Sequence, residues 1–171
     1  IVMIEVKTNQ QQNIRLLAVK ALSEINRNGA YANIKLQEYL QKYHLSDLDR
    51  RFFTELVYGV IRRKNYLDAI IVFFAKRPLK KLSSMVVEIL RLGIYQIIYM
   101  DKVPESASVN ESVKLAKKLT RGLSGFVNAV LRSVLRESDS ISIGELAKSE
   151  AEEISFIYNQ PLWLVNLWIK E

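Results

Sequence analysis

The sequence predicts an all-α fold, a bundle of packed helices, from three observations. Apolar residues recur at helical spacing along most of the 171-residue chain. Only three prolines and six glycines occur, and the pattern places them between the periodic segments. Residues that favour helix starts, such as Ser46, and residues that favour helix ends, such as Gly29, separate those segments.

The periodic segments predict seven helices. Their approximate bounds are 9–27, 31–43, 46 onward, 65–74, 83–100, 108–120 and 124–136. Gly29 ends the first helix, because glycine readily adopts the left-handed conformation that follows a helix. Capping-box spacing at Ser46 and again at Ser108 opens two others, since a serine hydroxyl can accept from a backbone N–H three residues later. Ser124 is predicted to cap the seventh.

The fifth predicted helix is apolar on nearly all sides. Its only charged residues are Glu88 and Arg91. A helix of this kind is normally surrounded by others. We therefore expect it at the centre of the bundle.

Residues 9–137 form the predicted helical domain, and residues 138–171 form a second part. Ser138–Ser142 reads as a linker, a weakly acidic segment follows, and a new helix begins near Pro161, which suits a first helical turn. The chain stops inside that helix. We therefore expect a piece of a longer protein, although a natural C-terminal helix is the alternative.

Charge is distributed unevenly along the chain. Residues 1–137 carry 23 Lys and Arg against 12 Asp and Glu, whereas residues 138–171 carry 2 against 6. A strongly basic front favours a polyanionic partner, and an ordinary solvated basic surface is the alternative.

The chain has no cysteine, which fits a reducing compartment. With no long apolar run and no signal-peptide pattern, we expect a cytoplasmic protein without a membrane partner.

Residues for catalysis, metal binding or cofactor binding are missing from the sequence. His44 is the only histidine, and neither glycine-rich phosphate motif is present. The stretch RGLSG, residues 121–125, is interpreted as a tight turn between helices. The chain is therefore predicted to be a binding module.

Two rows of basic residues are the candidate RNA-binding site. Four cations fall on one stripe of the sixth helix, opposite its apolar residues. Two arginines follow Asn128 at i+4 and i+8 on the seventh helix, where the Asn128 amide is expected to bond a loop carbonyl. The predicted phosphate contacts are Arg15, Lys114, Lys117, Lys118, Arg121, Arg132 and Arg136. A solvated face is the alternative interpretation of these rows.

Three stretches, DLDRRFFTELVYGVIRR (47–63), ILRLGIYQIIYMDKVPESASVNESVKLAKK (89–118) and GFVNAVLR (125–132), together resemble the NusB-like helical domain. That superfamily contains transcription antitermination factors and the N-terminal domain of bacterial 16S ribosomal RNA cytosine-C5 methyltransferases. Gln96, Arg132 and the segment QPLWLVNLWIKE (160–171) are similar to the methyltransferase branch.

The resemblance implies two packed helical subdomains and a role in ribosomal RNA recognition. For the intact protein it implies S-adenosylmethionine as cofactor and a C-terminal catalytic domain as partner. Cytosine-C5 methylation needs a cysteine thiolate, so this piece alone is expected to be inactive.

Two other functions stay open. One is an antitermination factor that binds RNA with a ribosomal protein, and the other is a helical bundle that mainly docks on its own catalytic domain. The coding sequence beyond Glu171 distinguishes the methyltransferase domain from the antitermination factor, because a cysteine-bearing methyltransferase would follow in the first case and a stop codon in the second.

Overall fold

The computed structural model describes residues 13–171, and within that range the chain forms ten α-helices and two 3-10 turns, with no strand. The all-α prediction is confirmed. Residues 9–12 of the first predicted helix lie outside the described residues. The helices are α1 (Ile14–Asn28), α2 (Ala32–Lys42), α3 (Asp47–Arg62), α4 (Lys64–Ala75), α5 (Ser84–Tyr99), α6 (Glu105–Leu119), α7 (Ser124–Glu137), α8 (Ile143–Leu146), α9 (Glu150–Tyr158) and α10 (Leu162–Lys170).

Helix α5 is the centre of the bundle, as its apolar pattern predicts. Every residue from Val86 to Gln96 is buried. Helices α1 and α3 pack on α5 and on each other, and α2 packs on both of them. Helices α4, α6 and α7 form a second group that also packs on α5. The two groups share α5, so their apolar residues form one continuous core.

Two of the glycines, Gly59 and Gly93, lie in the interior of long helices, where the sequence pattern did not place them. A Cβ at Gly59 in α3 would overlap the ring of Tyr95 from α5. A Cβ at Gly93 in α5 would lie 2.8 Å from Ser112 Oγ of α6 and 3.0 Å from a Leu131 methyl of α7. The lack of a side chain at these glycines allows α3, α6 and α7 to approach α5 closely.

The charged residues of α5 are buried and paired. Arg91 donates to both oxygens of Asp68 in α4, at 2.6 and 2.9 Å, and to Glu88 Oε1 at 2.8 Å. Asn26 of α1 donates to the same Glu88 oxygen at 2.8 Å. Desolvation lowers the pKa of Arg91, but its bonds to Asp68 and Glu88 outweigh desolvation, so the pKa is raised. The network joins α1, α4 and α5.

Only one of the three predicted serine caps is correct. Ser46 accepts from the backbone N–H of Asp49 and starts α3. Helix α6 begins at Glu105, directly after Pro104, so Ser108 lies inside it, is buried, and donates to the Pro104 carbonyl. The fixed φ of Pro104, −59°, already suits a helix start. Helix α7 begins at Ser124 without a side-chain cap.

The segment 138–171 is folded against the bundle rather than extended. Ser138–Ser140 forms a 3-10 turn, and α8 and α9 pack on α4. Leu146 and Phe156 join the core of the bundle. The predicted linker is therefore a short structured connection. Among the described residues no helix is both long and apolar enough to cross a membrane.

Candidate nucleic-acid interface

Helices α6 and α7 form an antiparallel hairpin on the surface of the bundle. They are joined by residues 120–123, and so short a connection makes consecutive helices antiparallel neighbours. Gly122 has φ +69°, the left-handed conformation that the tight turn requires. The interpretation of RGLSG as an interhelical turn is confirmed. Both helices bury one side on α5 and leave the other side in solvent.

The solvent side of the hairpin carries most of the predicted phosphate contacts. We call this surface the basic face and define it as Lys114, Lys117, Lys118, Arg121, Arg132 and Arg136, all of which are exposed. Ser108, Val109, Ser112, Leu115 and Ala116 lie on the opposite, buried side of α6.

Arg121 is a member of the basic face for a different reason than the sequence suggested. Helix α6 ends at Leu119, and Thr120 is extended, with φ −129° and ψ 159°. Arg121 therefore does not continue the helical row and lies in the connecting loop. Its exposure still places a cation between the two helices.

Asn128 does not make the predicted bond to a loop carbonyl. Its Oδ1 accepts from Arg132 Nε at 3.0 Å, one turn along α7. Residues four apart on a helix are neighbours, which makes this local contact easy to form. The bond holds the Arg132 guanidinium along α7 without neutralising its charge.

Ion pairs divide the basic face into two classes. Lys114 lies 3.2 Å from Glu111, and Arg136 lies 3.8 Å from Glu137, in exposed pairs that contribute about 0–1 kcal/mol each. The other four members have no ion pair within residues 13–171. They are Lys117, Lys118, Arg121 and Arg132. Their positive charges are therefore available to a bound anion.

Arg15 occupies a different environment from the basic face. It is half-buried at the start of α1, donates to Gln96 Oε1 at 2.7 Å, and lies 5.1 Å from the centre of the Phe52 ring. Desolvation lowers the pKa of Arg15, and the charge of Glu111 opposes that change. Glu111 therefore acts on Arg15 as well as on Lys114, with which it forms an ion pair. Gln96, fully buried in α5, fixes the Arg15 side chain.

One further cation reaches the hairpin. Arg77 follows the end of α4, and its guanidinium lies 5.6 Å from the centre of the Phe126 ring in α7. The sequence did not single out Arg77, because nothing in the local pattern shows that α4 ends beside α7. The contact brings a cation to the end of the hairpin that carries Arg121.

Comparison with known proteins identifies relatives of two kinds. The NusB family model matches residues 12–136. Proteins described as probable ribosomal RNA small subunit methyltransferase B are 40% identical over 164 residues in Synechocystis sp. and 34% identical over 160 residues in Bacillus subtilis. These matches cover 90% and 93% of this chain but 34% and 35% of the relatives. The chain thus spans about a third of their length.

The transcription antitermination protein NusB of Finegoldia magna is 30% identical over 131 residues, 75% of this chain and 96% of the relative. Among solved structures, NusB of T. maritima has a TM-score of 0.66 at 24% identity, covering 72% of this chain and 89% of that one. A chain in a crystal structure of a plectonemic RNA supercoil has a TM-score of 0.68 at 21% identity, covering 75% and 96%. These structures share the fold.

Proposed function

The chain belongs to the NusB family, and from that premise we propose that it is the RNA-binding domain of an S-adenosylmethionine-dependent 16S ribosomal RNA (cytosine-C5) methyltransferase. In this proposal it positions ribosomal RNA for a catalytic domain and performs no chemistry itself. The observation that carries the proposal is the basic face, where four cations have no ion pair within residues 13–171.

The choice of the methyltransferase branch rests on the extent of the matches. The methyltransferase relatives match 90% or more of this chain, whereas the NusB relative matches 75%. The 171 residues contain no cysteine, so they offer no thiolate for attack on cytosine. The nucleophile and the S-adenosylmethionine site would belong to the other two-thirds of such a protein.

Phosphate binding follows from the chemistry of the basic face. Lysine and arginine form charge-assisted hydrogen bonds with phosphate oxygens, and arginine can do so with two parallel bonds. Such contacts fix the position of a nucleic acid but carry no sequence information directly. The domain would therefore hold the RNA backbone, and base selection would be made elsewhere in the protein.

The salt dependence of RNA binding tests the proposal. Each phosphate neutralised on a single strand contributes a slope of about −0.7 to a plot of log affinity against log salt concentration. Replacing Lys117, Lys118 and Arg121 together by alanine should flatten that slope by up to about 2. The matched control is Lys148→Ala, an exposed cation in the acidic segment. An unchanged slope in the triple variant contradicts the proposal.

A second candidate role is docking on the catalytic domain of the same protein. Helix α10 favours it, because Trp163, Leu167 and Trp168 are 69%, 51% and 50% exposed. Large exposed apolar groups on one short helix are typical of a surface that another element covers. Trp168→Ser in the full-length methyltransferase should then loosen the catalytic domain, measured as faster proteolysis between the two parts. Unchanged proteolysis excludes this role for α10.

A third candidate is an antitermination factor that binds RNA together with a ribosomal protein. It is favoured by the match to the NusB of Finegoldia magna, 96% of which is covered. The coding sequence after Glu171 tests this candidate directly. A stop codon would favour it, and a cysteine-bearing methyltransferase would exclude it.

A further inference from the structure

A second group of cations lies away from the hairpin, at the corner where α3 meets α4. Arg62, Arg63 and Lys64 are consecutive, and none of them has an ion pair within residues 13–171. The Arg63 guanidinium lies 3.9 Å from the centre of the Tyr99 ring, a cation–π contact that fixes its position. Lys64 donates to Asn26 Oδ1 at 3.3 Å, a neutral partner that leaves its charge uncompensated.

These three cations line a concave site of about 230 Å³, and its opposite wall is the turn between α9 and α10. That wall consists of neutral polar residues, Ser155, Asn159 and Gln160, followed by Pro161. No aspartate or glutamate is among the residues that line it. Three basic residues and no acidic one therefore line the site, and its opposite wall offers neutral hydrogen-bonding groups.

The two walls are held together by specific bonds. Asn65 Nδ2 donates to Ser155 Oγ at 3.3 Å, and Ser155 Oγ donates to the Gln160 carbonyl at 2.6 Å. Asn159 is in the left-handed conformation, with φ 52°, which turns the chain at the end of α9. The cations belong to residues 12–136, which the family model matches, and the opposite wall belongs to the segment that follows. The site therefore exists only where both parts are present.

Helix α4 connects this corner to the hairpin. The cations lie at its start, and Arg77 beyond its end contacts Phe126 of α7. Twelve residues at about 1.5 Å each give α4 a length of roughly 18 Å. On the other side, Arg62 also lines a shallow surface along α3 together with Arg50, Arg51 and one acidic residue, Glu55. The corner thus lies within reach of a strand of several nucleotides that is held by the basic face.

We propose that the α3–α4 corner and the α9–α10 turn form a second phosphate site, which binds a backbone phosphodiester of the RNA strand held by the hairpin. This inference rests on the RNA-binding function proposed above. Arg62 is exposed and free to pair with two phosphate oxygens, Arg63 is held beside it by Tyr99, and Lys64 adds a third positive charge. A guanidinium fork matches phosphate geometry better than a lysine does.

Binding of a single-stranded oligoribonucleotide, measured by fluorescence anisotropy on the 171-residue chain, tests the site. Arg62→Glu should weaken binding about tenfold or more, because a charge-assisted contact is replaced by repulsion. It should also flatten the salt slope by about 0.7, the value for one lost phosphate. Lys148→Glu is the matched control, with the same charge change on an exposed lysine, and it should bind like the wild type.

A second variant tests the wall built by the C-terminal segment. Gln160→Glu places a carboxylate opposite the cations, so it should weaken RNA binding without lowering the melting temperature. If Arg62→Glu and Gln160→Glu both bind RNA with wild-type affinity, the second site is overturned. The basic face is tested separately, by the variant in which Lys117, Lys118 and Arg121 are replaced by alanine.

Titration with inorganic phosphate distinguishes a site for a phosphodiester of RNA from a site for a free phosphate ion. If the wild-type chain binds no RNA, yet inorganic phosphate shifts the amide NMR signals of Asn65, Tyr66 and Asn159, the site takes a free anion and the RNA assignment is overturned. If neither RNA nor phosphate binds, both the second site and the proposed function are overturned.

Discussion

The interior of α5 and the surface of the α6–α7 hairpin both carry charged residues, but those of α5 are buried and paired, whereas most of those on the hairpin are exposed and have no ion pair within residues 13–171. Glu88 and Arg91 are 3% and 5% exposed, and Arg91 bonds two carboxylates. Lys117 and Lys118 are exposed and have no ion pair within residues 13–171. A buried charge must be paired, because desolvation costs several kcal/mol per ion. The pairing of a charge, rather than its residue type, therefore separates structural from binding roles here.

Removing the guanidinium from the interior should have the largest effect on stability. Arg91→Ala leaves Asp68 and Glu88 facing each other without a cation, so the free energy of unfolding should fall by about 3–5 kcal/mol. Urea denaturation followed by circular dichroism measures the loss. A loss below about 1 kcal/mol would mean that the network is solvated and would erase the contrast with the hairpin.

A larger side chain at the close contact between α5 and the hairpin should have the next largest effect on stability. Gly93→Val places new atoms against Ser112 and Leu131, and overpacking of this kind costs about 1–3 kcal/mol. The matched control is Gly125→Ala in the first turn of α7, because a Cβ there has no atom within 4 Å. Thermal unfolding should show a lower melting temperature for the first variant only. Equal melting temperatures would disprove the close approach.

Cations on the basic face should affect RNA affinity and leave stability almost unchanged. Replacing Lys117, Lys118 and Arg121 by alanine should alter the free energy of unfolding by no more than about 0.5 kcal/mol for each exposed site. The same urea denaturation used for Arg91→Ala measures it. Destabilisation as large as that of Arg91→Ala would assign these side chains to the fold instead of the RNA.

The smallest effect should come from freeing a paired cation. Glu111→Gln removes the carboxylate that lies 3.2 Å from Lys114 and that also acts on Arg15. RNA affinity should therefore rise a few-fold at low salt, and the gain should vanish at high salt because screening removes it. Isothermal titration at two salt concentrations measures the change. Weaker RNA binding would mean that Glu111 orients Lys114 productively.

Features set by local sequence were predictable. The central position of α5 follows from an apolar pattern with two charges, and Gly29, with φ 65°, does end α1. The start of α6 was not predictable from Ser108. The helix begins earlier, directly after Pro104, and Ser108 is buried inside it. Where two local signals compete, packing against α5 decides between them.

Contacts between residues distant in the chain were not predictable. Arg15 meets Gln96 across 81 residues, and Arg91 meets Asp68 across 23. Nothing in the local pattern distinguishes Arg15, which is half-buried and bonded, from Lys117, which is exposed and unpaired within the described residues. Arg63 over Tyr99 is a further example, since only the packing of α3 beside α5 brings the two together.

Chemical footprinting of lysines with and without RNA tests the central claim most directly. An amine-reactive reagent modifies each exposed lysine at a rate that falls when a bound phosphate covers it. We expect saturating single-stranded RNA to slow the modification of Lys117 and Lys118 strongly, and to leave Lys35, which is paired with Glu24 and Glu38, unchanged. Equal rates at Lys117 and Lys118 with and without RNA would contradict the assignment of the basic face as the RNA-binding surface.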